Sequence, residues 1–372
     1  MKSIIGKKIN IPNGQKIIVG GNFFSYDGTE ELYYITRLNS DGTRDTGFNI
    51  GTGFDYIVYT IASQSDGKIV VGGYFFSYDG VFQQSITRLN SDGTRDTGFN
   101  IGTGFDYIVY TIVIQSDGKI LAGGNFFSYD GTEQYYITRL NSDGTRDTGF
   151  NIGTGFNSDV RAIAIQSDGK IVVGGSFSSY NETDQSRITR LDSDGTLDIG
   201  FTQGIAFNTS QVNAIAIQSD GKIVVGGSFT SYNGTNQSRI TRLNSDGTLD
   251  TSFATGTGFN TVVRAIAIQS DGKIVVGGSF SSYNGTAQSL ITRLNSDGTL
   301  DTGFTIGIAF NASQVNTIAV QSDGKIVVGG TFSSYNGTNQ SRITRLNSDG
   351  TLDTSFAIGA GFNDAVYAIT LT

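Results

Sequence analysis

The sequence predicts an all-β protein, a seven-bladed β-propeller of four-stranded antiparallel blades built from tandem repeats of 51–52 residues. One phrase recurs seven times at that interval and leaves no room for a second kind of domain. Glycine and β-branched or aromatic residues are abundant, and the single proline is Pro12. Short apolar runs alternate with Ser-Asp-Gly turns, and no helical periodicity is present.

Two phrases anchor the repeat. The first is Lys-Ile before a glycine pair, and its lysines are Lys16, Lys68, Lys119, Lys170, Lys222, Lys273 and Lys325. The second is Ile-Thr-Arg-Leu before a Ser-Asp-Gly-Thr turn. The phrases predict a single propeller over 1–372, with an N-terminal segment 1–12, repeat units of approximately 13–63, 64–114, 115–165, 166–217, 218–268, 269–320 and 321–363, and a closing inner strand 364–372.

One repeat divides into four apolar runs joined by turn residues. In the fourth copy we expect strands over Val160–Gln166, Lys170–Val173, Ile188–Leu191 and Leu197–Phe201, from the axis outward. A lone sheet of this size cannot bury two apolar faces, whereas stacked blades can. A two-sheet sandwich and a β-solenoid are the alternatives; the strict repeat of identical units favours a ring.

The glycine pair Gly174-Gly175 weakens its strand unless another segment approaches closely, and we expect a neighbouring blade to do so. The chain also ends in an eighth copy of the inner strand, while Ile9–Ile11 is a degenerate first copy. We therefore predict that Tyr367–Leu371 pairs with Lys16–Val19 and closes the ring, with Met1–Asn10 displaced.

Composition excludes several classes of function. The chain carries 33 acidic and 25 basic residues, a net charge of -8, which disfavours a nucleic-acid partner. It contains no cysteine and no histidine, so disulfides, thiolate metal sites and histidine bases are excluded. The first residues hold too few apolar positions for a signal peptide, and no membrane-spanning stretch is present, so membrane insertion is not expected.

The phrases QSDGKIVVGGSFSSYNGT and RITRLNSDGTLDTSF resemble the delta-60 repeat, a propeller domain of unknown function in bacteria and viruses. The resemblance extends over nearly the whole chain and recurs seven times. It implies a structural or binding role at a cell surface or on a virus particle. It assigns no catalytic residue and no cofactor.

An arginine and an aspartate eight residues apart bracket the third turn of each repeat. The arginine shares a strand face with a buried isoleucine and therefore needs a charged partner, which predicts a structural ion pair. The seven pairs are Arg37 with Asp45, Arg88 with Asp96, Arg139 with Asp147, Arg190 with Asp198, Arg242 with Asp250, Arg293 with Asp301 and Arg345 with Asp353.

The turn from Asn244 to Asp250 has the composition of a calcium loop. If Gly247 takes the sharp-turn position, however, the first ligand position falls on Arg242, which cannot ligate a cation. We therefore interpret the segment as an ordinary turn and expect no cofactor.

The repeats differ in their aromatic content, since twelve of the seventeen tyrosines precede residue 137. Exposed tyrosines beside acidic and amide groups stack on sugar rings or anchor protein partners. The candidate ligand-binding residues are Tyr33, Tyr34, Tyr56, Tyr59, Tyr107, Tyr110, Tyr135 and Tyr136. The alternative is that these blades record a separate round of duplication.

The sequence thus predicts a non-enzymatic propeller that binds glycan or protein through loops at one end of the ring. A structural spacer without a ligand is the first alternative. A glycosidase with paired carboxylates is the second, and it is disfavoured because nearly identical blades place each polar group in sevenfold surroundings.

Overall fold

The computed structural model describes residues 14–208, 210–311 and 313–372. Every regular element in these residues is a β-strand, as the sequence predicted. The described residues therefore contain no helix that could span a membrane. The N-terminal segment 1–12, including the proposed first copy Ile9–Ile11 and the displacement of Met1–Asn10, lies outside the described residues.

Seven three-stranded antiparallel sheets form the blades, and in each the middle strand pairs with an inner and an outer strand. From blade 1 to blade 7, the inner strands are Val366–Leu371, Val58–Ser63, Val109–Ile114, Val160–Ile165, Val212–Ile217, Val263–Ile268 and Val315–Val320. The middle strands are Ile17–Gly21, Ile69–Gly73, Ile120–Gly124, Ile171–Gly175, Ile223–Gly227, Ile274–Gly278 and Ile326–Gly330. The outer strands are Ile35–Leu38, Ile86–Leu89, Ile137–Leu140, Ile188–Leu191, Ile240–Leu243, Ile291–Leu294 and Ile343–Leu346.

In blades 2 to 7, a small hairpin lies between the middle and outer strands, and each of its two strands has two residues. In blade 1 a single bridge between Tyr26 and Thr29 takes its place. The tyrosine of each hairpin is buried; the hydroxyl of Tyr180, for example, donates to the carbonyl of Gly195. The hairpin strands are Ser77–Tyr78 with Val81–Phe82, Ser128–Tyr129 with Thr132–Glu133, Ser179–Tyr180 with Thr183–Asp184, Ser231–Tyr232 with Thr235–Asn236, Ser282–Tyr283 with Thr286–Ala287 and Ser334–Tyr335 with Thr338–Asn339.

The four-stranded blade expected from the sequence differs from the observed sheet. The run Leu197–Phe201 contributes one bridge, between Leu191 and Leu197, and no strand. Immediately afterwards, Oδ1 of Asp198 accepts the N–H of Gly200 at 2.9 Å, and the N–H of Phe201 donates to the carbonyl of Asp198. These bonds turn the chain away from the ladder, because they use backbone groups that a fourth strand would need.

The two ends of the described chain meet in blade 1. The middle strand Ile17–Gly21 pairs antiparallel with Val366–Leu371, with Ile17 opposite Leu371 and Val19 opposite Ile369. This is the pairing that the sequence predicted. The inner strand of blade 1 also lies against the inner strands of blades 7 and 2.

The two glycines at the end of each middle strand each allow one close contact that a Cβ atom would block. A Cβ on Gly174 would lie 2.5 Å from Cγ1 of Val212 in blade 5, which confirms the expected approach of a neighbouring blade. A Cβ on Gly175 would lie 2.0 Å from the carbonyl oxygen of Asp159, where a bulge shifts the inner strand of the same blade. Apolar side chains of adjacent blades therefore pack into shared clusters such as that of Val172, Val212 and Val225.

Candidate functional site

The eight candidate tyrosines all lie at one end of the propeller. Tyr56, Tyr59, Tyr107 and Tyr110 lie at or just before the start of an inner strand. Tyr33, Tyr34, Tyr135 and Tyr136 precede an outer strand, whose first residue lies beside the same end because the strands alternate in direction. We call this end the upper face and the opposite end the lower face.

Six aromatic rings on the upper face form one continuous set across blades 1 to 3. The ring centroid of Tyr34 lies 6.3 Å from that of Tyr56, Tyr56 lies 5.3 Å from Tyr74, and Tyr74 lies 5.3 Å from Tyr107. Phe24 extends the set at Tyr34, and Phe76 contacts Tyr74. We call these six residues the aromatic surface.

Four of the six rings of the aromatic surface are exposed, and the set is confined to one part of the molecule. Phe24, Tyr56, Phe76 and Tyr107 are each between 42% and 46% exposed to solvent. Blades 4 to 7 have no aromatic residue at the same repeat positions, and several of the replacements are polar, for example Ser178 in place of Phe76 and Ser158 in place of Tyr107. The fold therefore accepts polar residues there, and packing does not require the aromatic rings.

The backbone beneath these rings is held by repeated side-chain bonds. Oδ1 of Asp55, in the loop before the inner strand of blade 2, accepts the N–H groups of Phe76 and Ser77 at 2.8 and 3.1 Å. Asp106 makes the same bonds in blade 3. A groove of about 430 Å³ runs beside Phe24, Tyr34 and Asp55. Rings on so constrained a backbone are held in fixed positions before any ligand arrives.

The structure divides the eight tyrosines into three groups. Tyr34, Tyr56 and Tyr107 belong to the aromatic surface, and Tyr33 lines its groove. Tyr135 and Tyr136 pack beside Phe127, at centroid distances of 6.2 and 5.4 Å. Tyr59 and Tyr110 instead project into a pocket on the axis.

Sequence reasoning missed several aromatic residues at the upper face, because it named no phenylalanine there and only some of the tyrosines. The residues it missed are Phe24, Tyr74, Phe76, Phe127 and Tyr367. A signal was present, since blades 1 to 3 read FFSYDG where blades 4 to 7 read FSSYN or FTSYN.

The predicted ion pairs are present in all seven blades. The distance from arginine Nε to aspartate Oδ2 is 2.6–2.7 Å, and in each blade the lysine of the Lys-Ile phrase reaches the same carboxylate at 2.5–3.0 Å. Each guanidinium also donates to a serine carbonyl of the following blade and lies over a phenylalanine ring. The pairs therefore join neighbouring blades as well as closing a turn.

These contacts keep the carboxylates charged. Burial by itself raises the pKa of Asp96, but hydrogen bonds from Lys68, Gly98 and Arg88 outweigh it and lower that pKa to about 2. The same balance lowers the pKa of Asp147 to about 2. An acid–base role needs a group that titrates near the working pH, which these carboxylates do not.

We expect Arg190→Ala to lower the free energy of unfolding by about 2–4 kcal/mol, because it removes one partner of a buried ion pair while Lys170 stays beside Asp198. Chemical denaturation measures the change. The matched control is Arg146→Leu, which introduces the residue that blade 4 carries at that repeat position, Leu197. A loss below about 0.5 kcal/mol for Arg190→Ala would show that the pair contributes no more than an exposed one.

The turn Asn244–Asp250 binds its own backbone. Oδ1 of Asp246 accepts the N–H and the hydroxyl of Thr248 at 3.0 and 2.7 Å, and Asp250 is paired with Arg242. Within the described residues, acidic side chains form no group of metal-ligating geometry. That the chain needs no calcium stays a prediction.

Comparison with protein families gives one match, repeated along the chain. The DUF5122 β-propeller domain, a domain of unknown function, matches at 16–48, 64–99, 115–150, 166–201, 218–253, 269–304 and 321–356. The chain belongs to the DUF5122 family. This confirms the resemblance to a repeat propeller family of unknown function. The curated proteins contain no match to this DUF5122 chain.

Several solved structures are similar to this DUF5122 protein at low sequence identity. The WD40 β-propeller domain of Doa1 is 16% identical, with a TM-score of 0.50, over 90% of this chain and 96% of that domain. The extracellular domain of the one-component system BT4673 from B. thetaiotaomicron is 14% identical, with a TM-score of 0.50, over 88% of this chain and 38% of that one. Virginiamycin B lyase from Staphylococcus aureus is 16% identical over 80% of this chain and 83% of that one, with a TM-score of 0.42.

Proposed function

We propose that the seven blades form a closed ring that acts as a non-enzymatic binding module, and that the aromatic surface binds carbohydrate. The observation that carries the proposal is the unequal distribution of exposed rings. Blades 1 to 3 carry a continuous aromatic set on the upper face, whereas the otherwise similar blades 4 to 7 carry no aromatic residue at the corresponding positions and have serine or threonine in place of Tyr74 and Phe76.

Exposed tyrosine and phenylalanine rings suit a sugar ligand for physical reasons. Their faces pack against the apolar faces of pyranose rings, and the tyrosine hydroxyls form hydrogen bonds at the same time. The groove beside Tyr34 also presents the polar groups of Thr52, Asp55 and Ser77, which fit sugar hydroxyls. An exposed apolar patch on a soluble domain is itself a sign of a binding surface.

A non-enzymatic role is supported by the use of the acidic side chains. The recurrent carboxylates of the outer turns are held by lysine and arginine, and those of the upper loops, such as Asp55, accept backbone N–H groups. We further propose that the protein acts at a cell surface or on a particle, as the family resemblance implies. One protein with the same fold is an extracellular domain.

A glycan array followed by calorimetry tests the proposal. We expect the wild-type protein to bind one class of polysaccharide, and the variant Tyr56→Ser/Tyr107→Ser to bind it at least about tenfold more weakly, since central aromatic contacts dominate binding energy. Serine is the residue that blade 4 carries at this position, Ser158, so the variant should fold. The variant Tyr56→Ala/Tyr107→Ala should bind the polysaccharide as weakly as the double serine variant does.

The matched control is Ile199→Thr, which removes an exposed apolar side chain from the outer rim and introduces the residue of blade 5, Thr251. It should bind as the wild type does. If no glycan binds the wild-type protein and a protein partner does, the carbohydrate proposal is wrong. If neither binds, the spacer interpretation is favoured instead.

A further inference from the structure

A pocket of about 250 Å³ opens on the axis at the upper face. Each blade contributes to its lining the second residue of its inner strand. One wall is aromatic and comes from blades 1 to 3: the ring of Tyr59 lies 5.3 Å from that of Tyr367 and 5.7 Å from that of Tyr110. The opposite wall comes from blades 4 to 7 and carries arginine and asparagine.

The two asparagines of the polar wall are oriented by the next inner strand. Nδ2 of Asn213 donates to the carbonyl of Val263 at 3.1 Å, and Nδ2 of Asn316 donates to the carbonyl of Val366 at 2.9 Å. One N–H of each amide is bound in this way, and the Oδ1 atom of each asparagine can accept a hydrogen bond from a ligand hydroxyl.

The two arginines of this wall differ in their partners. Arg161 pairs with Asp159 at 2.9 Å and lies over the ring of Tyr110, yet its Nε is buried and has no hydrogen-bond partner among the described residues. Arg264 donates from Nε to the hydroxyl of Ser279 at 3.3 Å and forms no ion pair with a carboxylate in the described part of the chain.

The pocket therefore holds a positive charge that the protein does not neutralise. Burial and repulsion by Arg161 both lower the pKa of Arg264, although a guanidinium stays protonated at neutral pH. A bound anion would offset both effects. The charge is unexpected in a protein of net charge -8 and points to a specific ligand.

We propose that the axial pocket binds an acidic monosaccharide unit, with its carboxylate between Arg161 and Arg264 and its ring against Tyr59, Tyr110 and Tyr367. The aromatic wall fits the apolar face of a pyranose, the asparagine oxygens accept its hydroxyls, and the guanidinium groups match a carboxylate. This second site goes beyond the aromatic surface and does not depend on it.

Calorimetric titration with D-glucuronate tests the site. We expect saturable one-site binding with a Kd on the order of 1 mM, and binding of D-glucose or inorganic phosphate weaker by about tenfold or more. Arg264→Asn should weaken glucuronate binding by about tenfold or more, because it removes a hydrogen bond between two charged groups. Asparagine occupies this repeat position in blades 5 and 7, so the variant should fold.

Three comparisons make the outcome decisive. Arg95→Asn makes the same change in charge at the lower end of blade 2 and should leave glucuronate binding unaltered. The variant Tyr56→Ser/Tyr107→Ser should also retain it, which separates this site from the aromatic surface. Arg161→Asn should behave as Arg264→Asn does. The proposal fails if the wild-type protein does not bind glucuronate, if phosphate binds as tightly, or if the axial variants bind as well as Arg95→Asn.

Discussion

Deletion of residues 364–372 is expected to reduce the stability of the protein more than any single substitution. The strand Val366–Leu371 completes the sheet of blade 1 and lies between the inner strands of blades 7 and 2. Its loss would expose the ladder edge of Ile17–Gly21 and the clusters that Val366 and Ala368 help to bury. We expect a loss of at least about 5 kcal/mol, comparable with the whole stability of many domains.

Calorimetry and chemical denaturation measure this loss. The matched control is the same truncated chain with a synthetic peptide of residues 364–372 added in trans, which should restore part of the stability by binding the exposed edge. An unchanged melting temperature after deletion would mean that the pairing of Ile17–Gly21 with Val366–Leu371 does not hold the blades together.

The substitution Gly175→Ala is expected to have the second largest effect, a loss of about 3–5 kcal/mol in the free energy of unfolding. Its Cβ would lie 2.0 Å from the carbonyl oxygen of Asp159. Since the obstacle is backbone in a bulged strand pair, no side-chain rotation relieves it, and the inner strand must move away from its partner.

Gly98→Ala is the matched control, because a Cβ there would lie 3.4 Å from the nearest atom, Oδ1 of Asp96. Blades 5 and 7 already carry serine at this position. We expect a change within about 0.5 kcal/mol for the control, as for most surface substitutions. Equal effects of the two substitutions in chemical denaturation would contradict the role assigned to Gly175.

The repeat made most of the fold predictable from the sequence. Strand order, the ion pairs and the partner of the last strand follow from the fixed period and from the alternation of apolar residues. Both patterns occur in every copy of the repeat. The eight-residue spacing of Arg190 and Asp198 was enough to predict their ion pair, because the two residues flank one turn and lie on one face of it. A sequence without repeats would not offer sevenfold confirmation of each pattern.

Two features of the blade escaped prediction for local reasons. The hairpin strands, such as Ser179–Tyr180, have two residues each and thus no periodicity to detect. The run Leu197–Phe201 has the alternation of a strand, but the side chain of Asp198 caps a backbone N–H that a longer ladder would use. Competition between side-chain and backbone hydrogen bonds is not visible in apolar patterning.

The sites were predicted only in outline. The excess of tyrosine pointed to the blades that carry the aromatic surface, but it did not separate Tyr56, on that surface, from Tyr59, on the axis, three residues later. The direction of each side chain depends on where the loop ends and the strand begins. Arg264 was not noticed, since its importance comes from the residues that other blades place around the axis.

Hydroxyl-radical footprinting of the protein with its bound glycan tests the central proposal most directly. We predict that the glycan protects Tyr56, Phe76 and Tyr107 from oxidation, while the exposed Ile199 on the outer rim remains as reactive as in the free protein. Protection of Ile199 without protection of Tyr56, Phe76 and Tyr107 would contradict the assignment of the binding site to the aromatic surface of blades 1 to 3.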